Sequence, residues 1–366
     1  FCRSVRRVGY PAIMKRINPL ALRQFVSRLY MALGLNEDKA SLLSDSLVMA
    51  DLWGHSSHGV LRATWYAERI QHHVMDINTD PEITSDTGPL LALDGHNGLG
   101  QFITREAVRL AIARAQQFGI GCVSIRRSGH FGTAMYFTKT IAEQNMIGFL
   151  ATNASPAMAA FGGREKIVGN NPQSWAAPTP FDAPFIVDIA HTAVARGKIY
   201  LAKEKRETIP DHWALSPQGQ ATTDPAEAIL GTLMPMAGHK GFALSAMMDV
   251  LSGVLSGGAF GQAINGPYVP DQASGVGHFL MVVDIAKLRE VDAFKDDMGA
   301  MINAWKNSQK AEGVSEIFYP GEKEERHRLK AIAEGLALAA DTLDRLIPFA
   351  HHLGVNITLD DLLFHA

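Results

Sequence analysis

The sequence predicts a mixed α/β fold, and three observations predict it. Apolar residues recur at helical spacing near both chain ends, short apolar runs alternate with helical stretches between them, and Pro81, Gly88-Pro89 and Pro320-Gly321 mark the changes of texture. The chain has 366 residues, 47% hydrophobic and 19% charged, which is globular composition and a length suited to about two domains.

Asn18-Pro19 reads as an N-cap followed by proline at the first helical position, and Leu22, Phe25, Val26 and Leu29 continue one apolar face over 19–33. Asn36-Glu37-Asp38 opens a second helix, to residue 50, with Leu43, Leu47 and Ala50 on its apolar side. A third helix is expected over about 58–71, and a domain edge near 78. Strands follow at 90–93, 121–125, 147–152, 185–188 and 279–283, with helices over about 101–117, 133–144 and 242–255. After Pro320-Gly321 the chain turns helical again, so Leu336, Leu338 and Leu343 can return to the N-terminal hairpin. The expected division is a helical domain from 18–78 with 322–366, and a mixed α/β domain from 79–321. Residues 1–17, which carry Arg3, Arg6, Arg7, Lys15 and Arg16 and no acid, read as a leader outside the fold, with a transit peptide as the other reading.

Several function classes are excluded. A net charge of −3 offers no basic surface for nucleic acid, and no apolar run is long enough to span a bilayer. With only Cys2 and Cys122, neither a disulfide framework nor a thiolate metal site is expected, and a reducing, cytoplasmic setting fits.

The run 90–93 followed by Gly95, Gly98 and Gly100 invites a Rossmann reading, but the spacing is G-x-x-G-x-G and Arg126-Arg127 stand where a ribose-binding acid belongs. A tight strand-to-helix turn fits better. At Gly238-His239-Lys240-Gly241, ahead of an apolar helix, free backbone N–H groups and a lysine suit an anion, and an exposed helix start fits equally. Ser128 to Thr133 occupies another strand-to-helix junction. Asp188, at a strand end, reads first as a cap or turn residue. The segment 54–62 holds His55, Ser57, His58 and Arg62; it lacks a nucleophile elbow and a third metal ligand, so neither a serine hydrolase nor a metal site is expected. If a helix begins near His58, Arg62 lies one turn on, and the pair suits a 2-oxo acid: arginine grips the carboxylate while histidine protonates the carbonyl oxygen.

These motifs, Asp51 to Arg62 around Ser57-His58-Gly59, Gly129-His130-Phe131-Gly132, Gly169-Asn170-Asn171-Pro172, Val187-Asp188, Gly238 to Gly241 and Pro320-Gly321-Glu322, occur in that order in one family. From about Asn18 onward the chain resembles the type-2 malate/L-lactate dehydrogenases, which include ureidoglycolate, sulfolactate, diketogulonate and piperideine-2-carboxylate oxidoreductases. The resemblance implies a non-Rossmann fold, with a helical domain from both chain ends and a central, mostly antiparallel sheet flanked by helices, assembled as a homodimer. It implies NAD or NADP as cofactor, His58 as proton donor and acceptor with Ser57 and Asp188 as relay partners, and Arg62, Ser155 and Ile189 on the substrate side. Cofactor contacts would come from His130, Phe131, Gly132, Thr133, Ala134, Asn171, Pro172, Asp182, Ala183, Pro184, His239, Lys240, Gly321 and Glu322. The expected activity is interconversion of a small 2-hydroxy acid and 2-oxo acid, with cyclic imine reduction and a non-catalytic binding protein as alternatives. Arg126, Arg127 and Arg164 are the candidate partners of a 2′-phosphate.

Overall fold

The computed structural model describes residues 14–266 and 269–365. A short strand, β1 (Met14–Ile17), leads into the helical pair α1 (Pro19–Ala32) and α2 (Glu37–Leu52). The Asn18 side chain accepts from the N–H groups of Leu20 and Ala21, and Asn36 accepts from Lys39 N–H, so both expected caps are present. α3 (Ala63–Gln71) starts later than the spacing suggested. Residues 56–62 form two 3-10 turns, Ser56–His58 and Val60–Arg62, separated by an extended Gly59.

β2 (Glu82–Asp86) and β3 (Leu90–Asp94) precede α4 (Gly100–Phe118) and β4 (Ile120–Ser128). Then come α5 (Met135–Ala142), β5 (Met146–Thr152), β6 (Gln173–Ala177) and β7 (Phe185–Ile189). A smaller lobe holds α6 (Arg196–Lys205), β8 (Ala214–Leu215), α7 (Pro225–Leu230) and β9 (Thr232–Leu233). The chain returns through α8 (His239–Asp249), β10 (Val276–Asp284) and α9 (Val291–Lys306). It ends in α10 (Glu322–Glu334), β11 (Leu336–Ala339) and α11 (Ala340–His352).

Among the described residues the main sheet has seven strands in the order β2-β3-β4-β10-β5-β6-β7. Only β3 and β4 pair in parallel, with α4 as the crossover helix that parallel neighbours require; the other pairings are antiparallel. Alternation sends successive side chains to opposite faces. Leu93, Ile125, Leu150 and Leu280 pack on one face with Ile103 of α4 and Ile141 of α5, while Phe149 and Ala151 meet Met248 of α8 on the other. Helices therefore cover both faces.

A second core joins the chain ends. Phe25, Leu29, Leu43 and Leu47 of the N-terminal helices pack with Leu336, Leu338, Leu343 and Leu346, each fully buried leucine contributing about 1.5–3 kcal/mol. β1 pairs antiparallel with β11, Ile17 opposite Leu336 and Met14 opposite Ala339. The expected leader, 1–17, therefore overruns the fold: its last four residues are a paired strand, and residues 1–13 lie outside the described ones. Leu336 and Leu338 reach the core from that strand instead of a helix. Among the described residues, no helix is long and apolar enough to cross a membrane.

Candidate active site

The turn after α2 is built around a buried carboxylate. Gly54, at φ 82, ends α2 in the left-handed conformation open to glycine. Asp51, 4% exposed, accepts the N–H of Val60 through Oδ2 at 2.8 Å, which breaks the segment into two turns and delays the helix. Gly59 passes so close that a Cβ there would lie 2.0 Å from Asp51 Oδ1. Burial raises the Asp51 pKa to about 7.

This turn presents Ser57, His58 and Arg62. Ser57 Oγ lies 2.9 Å from His58 Nδ1, and Arg62 Nε donates to the Ser57 carbonyl at 2.6 Å while its guanidinium stacks 3.5 Å over the Trp65 ring. Burial first, then the charges of Arg62 and His55, lower the His58 pKa to about 4. His58 is therefore neutral at pH 7 and able to accept a proton.

The β4–α5 junction faces the turn. His130 stacks on His58 with ring centroids 5.7 Å apart, and Tyr66 Oη is 2.6 Å from His130 Nδ1. Gly132 N–H also donates to that Nδ1, at 3.3 Å, so Nδ1 is the acceptor and the neutral ring carries its proton on Nε2. Burial holds the His130 pKa well below its usual range. Phe131 is buried against Phe137 and His278, Ala134 is buried, and Gly132, at φ 89, borders open space.

Asp188 takes the capping role that its place at a strand end suggested. Its Oδ2 accepts from Thr133 Oγ1 at 2.7 Å and from Met135 N–H at 2.8 Å, so it caps the start of α5. Thr133 Oγ1 is 3.4 Å from His55 Nδ1, and His55 Nε2 is 3.9 Å from Glu324. Asp188 thus reaches His55 through Thr133, and among the described residues no hydrogen bond joins it directly to His58. Burial raises the Asp188 pKa.

Asn171, also assigned to cofactor, is occupied: Oδ1 accepts from Ala154 N–H and Nδ2 donates to the Ser245 carbonyl, both at 2.9 Å, while φ is 29. Its side chain ties the segment after β5 to α8, and neighbouring Pro172 accepts Thr152 N–H. Thr152 Oγ1 is 2.8 Å from His278 Nδ1, and Asn153 binds Asp249 at the far end of α8. Ser155 is half-buried nearby, whereas Ile189 is exposed. At the near end of α8, Gly238 (φ 63) is an N-cap with no side-chain bond; His239 and Lys240 are exposed, and a Cβ on Gly241 would meet Met236 O at 2.2 Å. An open helix start beside an exposed lysine fits a dinucleotide phosphate. The backbone geometry, not a Walker pattern, makes that fit.

Asp182, Ala183 and Glu322 line a cavity of about 260 Å³ with Lys306, Tyr319 and Arg326. Gly321 approaches the Pro184 carbonyl, and Glu322 is held by Lys306 at 2.5 Å, Arg326 at 2.6 Å and Tyr319 N–H at 3.2 Å. Its carboxylate is thus committed to protein cations, which pull its pKa down against burial. Arg126 and Arg127 both bind Asp94, which is 1% exposed, and Gly100 abuts the Gly129 carbonyl; the glycine run at 95–100 serves packing. Arg164 packs against Gly219. Sequence reasoning missed Asp51, Tyr66 and Arg69, the last of which donates to the carbonyls of Val269 and Gln272 and to Ser274 Oγ; Tyr66 and Arg69 fall four and seven residues after Arg62, a spacing that places them on one side of α3.

The family model for malate/L-lactate dehydrogenase matches residues 17–347. The malate dehydrogenase of Pyrococcus abyssi is 36% identical over 349 residues, 93% of this chain and 96% of the relative. The NAD(+) ureidoglycolate dehydrogenase of Escherichia coli is 33% identical over 335 residues, 91% of this chain and 95% of the relative. The sulfolactate dehydrogenase structure from Methanocaldococcus jannaschii superposes with a TM-score of 0.89 at 32% identity, covering 94% of this chain and 98% of that one. The chain thus belongs to the malate/L-lactate dehydrogenase family of oxidoreductases.

Proposed function

We propose that the protein transfers a hydride between a nicotinamide dinucleotide, NAD or NADP, and a small 2-hydroxy or 2-oxo acid, with His58 moving the proton. One observation carries the reading: a neutral imidazole held by Ser57 sits beside a guanidinium fixed on Trp65. Arginine offers a planar fork suited to a carboxylate. With Nδ1 against Ser57, Nε2 is the nitrogen for the substrate oxygen.

The nicotinamide, when bound, supplies the site that takes or gives the hydride. Lys240 and the start of α8 would hold phosphate, and Gly132 gives backbone access beside His130. In oxidation of the hydroxy acid, the C2–H bond breaks as hydride leaves, the C=O bond forms, and the hydroxyl proton passes to His58 Nε2. Reduction reverses each transfer. A bound carboxylate offsets the Arg62 charge that disfavours imidazolium, so substrate raises the His58 pKa toward neutrality. Ser57 steers the ring and attacks nothing.

The test is a pair of variants. His58→Ala should lose most of kcat and still bind reduced cofactor, read by nicotinamide fluorescence, while Arg62→Ala should chiefly raise KM. Near-normal turnover by His58→Ala would overturn the assignment.

A further inference from the structure

α4 brings one more side chain to the edge of the site. Gly100, its first residue, lies so close to the β4–α5 junction that a Cβ there would be 2.2 Å from the Gly129 carbonyl oxygen and 2.6 Å from that of His130. Only glycine permits that approach, and it sets Gln101 beside the His130 loop. Leu99 and Phe102, which bracket Gln101, pack in the same core as Tyr66.

Gln101 is 1% exposed, and both polar atoms of its amide, Oε1 and Nε2, are enclosed without a hydrogen-bond partner among the described residues. A buried amide without a partner is costly, and a leucine or methionine of similar volume would avoid the cost. The amide is near enough to Tyr66 to act on its charge. Burial raises the Tyr66 pKa, and Gln101 is the first of the groups that oppose the rise, ahead of Arg62 and Arg69. Only the donor end of the amide has that sign, since its oxygen would destabilise a phenolate.

Tyr66 is committed on its other side. Its Oη lies 2.6 Å from His130 Nδ1, to which Gly132 N–H also donates. Because Nδ1 accepts, the phenol proton points to it, and the lone pairs of Oη are left for a donor such as Gln101 Nε2. The order of donors runs from amide through phenol to imidazole. At its end the ring proton of His130 sits on Nε2; among the described residues this atom has no hydrogen-bond partner, and unlike the Gln101 amide it is not enclosed. His58 mirrors the arrangement, with Nδ1 turned to Ser57 and its ring stacked on His130 at 5.7 Å and 19°. Two imidazoles thus stand together with Nδ1 held and Nε2 open, one as acceptor and the other as donor.

We propose that Gln101 is a positioning residue for the reaction: through Tyr66 it fixes the proton of His130 on Nε2, so that His130 donates a hydrogen bond to the substrate oxygen whose proton His58 carries. The substrate half of this inference rests on the hydride reading above; the donor order from Gln101 to His130 does not.

Two readouts on the full chain test it. The first is the tautomer of His130, from two-bond proton–nitrogen correlation spectra of protein labelled at histidine, with the ring assigned by His130→Asn. The native ring should be Nε2–H, and Gln101→Met should give a mixture with the Nδ1–H form. The second is kcat for reduction of 2-oxobutyrate and of oxaloacetate with NADH and with NADPH. Gln101→Met should lower kcat about 10-fold, the order of one hydrogen bond, and leave KM and reduced-cofactor affinity within about 2-fold. Tyr66→Phe should lower kcat at least as far, and adding Gln101→Met to it should cost nothing more, because the amide acts only through the hydroxyl. A purely structural Gln101 would instead lower the unfolding midpoint, and the two losses would multiply. A native His130 ring in the Nδ1–H form, an unchanged tautomer and kcat in Gln101→Met, or multiplying losses would overturn the proposal. The tautomer response in a protein that reduces neither acid would uphold the donor order and overturn the hydride reading.

Discussion

Replacing Gly59 by alanine puts a methyl group where the Asp51 carboxylate already is. The new Cβ would lie 2.0 Å from Oδ1 and 2.3 Å from Oδ2, so one side must move by more than an ångström to reach ordinary contact at 3.4 Å. Gly59 has negative φ, so the conflict is spatial and not a matter of backbone preference. Two costs add. Overpacking at a buried site costs about 1–3 kcal/mol, and loss of the 2.8 Å bond from Val60 N–H to the carboxylate costs about 1–3 kcal/mol more. A total of about 2–6 kcal/mol lowers the unfolding midpoint by about 3–8 °C in a chain of this size. Because the displaced turn carries His58 and Arg62, a shift of about 1 Å should also cut kcat/KM by roughly 100-fold. Thermal unfolding followed by circular dichroism, with kcat/KM on the same preparation, reads both effects. An unchanged midpoint with unchanged kcat/KM would refute the reasoning, since it would mean that Asp51 does not hold the turn.

The other predictions test the electrostatics and the phosphate site. Burial raises Asp51 from 3.8 to about 7, so folding takes up a proton between these values: the stability it confers is full below about pH 4 and is lost as pH rises through 7. Asp51→Asn should flatten that dependence and gain stability over the native chain at pH 8, measured by urea unfolding at pH 5 and 8; parallel curves would count against a buried titrating carboxyl. Lys240→Ala should weaken reduced-cofactor binding by about 1.5–3 kcal/mol with unchanged circular dichroism, and unaltered affinity would move the phosphate elsewhere. Ser57→Ala should be milder than His58→Ala in kcat, and a covalent adduct on Ser57 after treatment with a fluorophosphonate would revive a hydrolase reading.

The elements that sequence made legible are those whose burial is periodic. The faces of α1 and α2, and strands β3, β4, β5, β7 and β10, announce themselves because each is fixed by local spacing or a short apolar run. β2, with every residue exposed, and the short pair β8 and β9 carry no such signal. β11 was hidden by four residues, Leu-Ala-Leu-Ala, that suit a helix as well; only pairing with β1 makes them a strand. The candidate site divides likewise. His58, Arg62 and the open start of α8 were readable as motifs. The partners of Asp188 were not, because Thr133 Oγ1 and the Met135 N–H come to it only where the β4–α5 junction folds beside the end of β7, more than 50 residues away in sequence. Arg69 was invisible for the same reason, since its acceptors lie about 200 residues away.

The central claim is hydride transfer to carbon 2 of a 2-oxo acid, and an isotope reports it directly. Nicotinamide cofactor carrying deuterium at both C4 positions, in its NADH and NADPH forms, would be incubated with the protein and 2-oxobutyrate, and the hydroxy acid analysed by mass spectrometry. The account predicts one deuterium at C2 from at least one of the two cofactors, solvent hydrogen on the hydroxyl, and loss of the product in His58→Ala. Hydroxy acid formed with hydrogen from solvent at C2, or none formed with either cofactor although it binds, would contradict it.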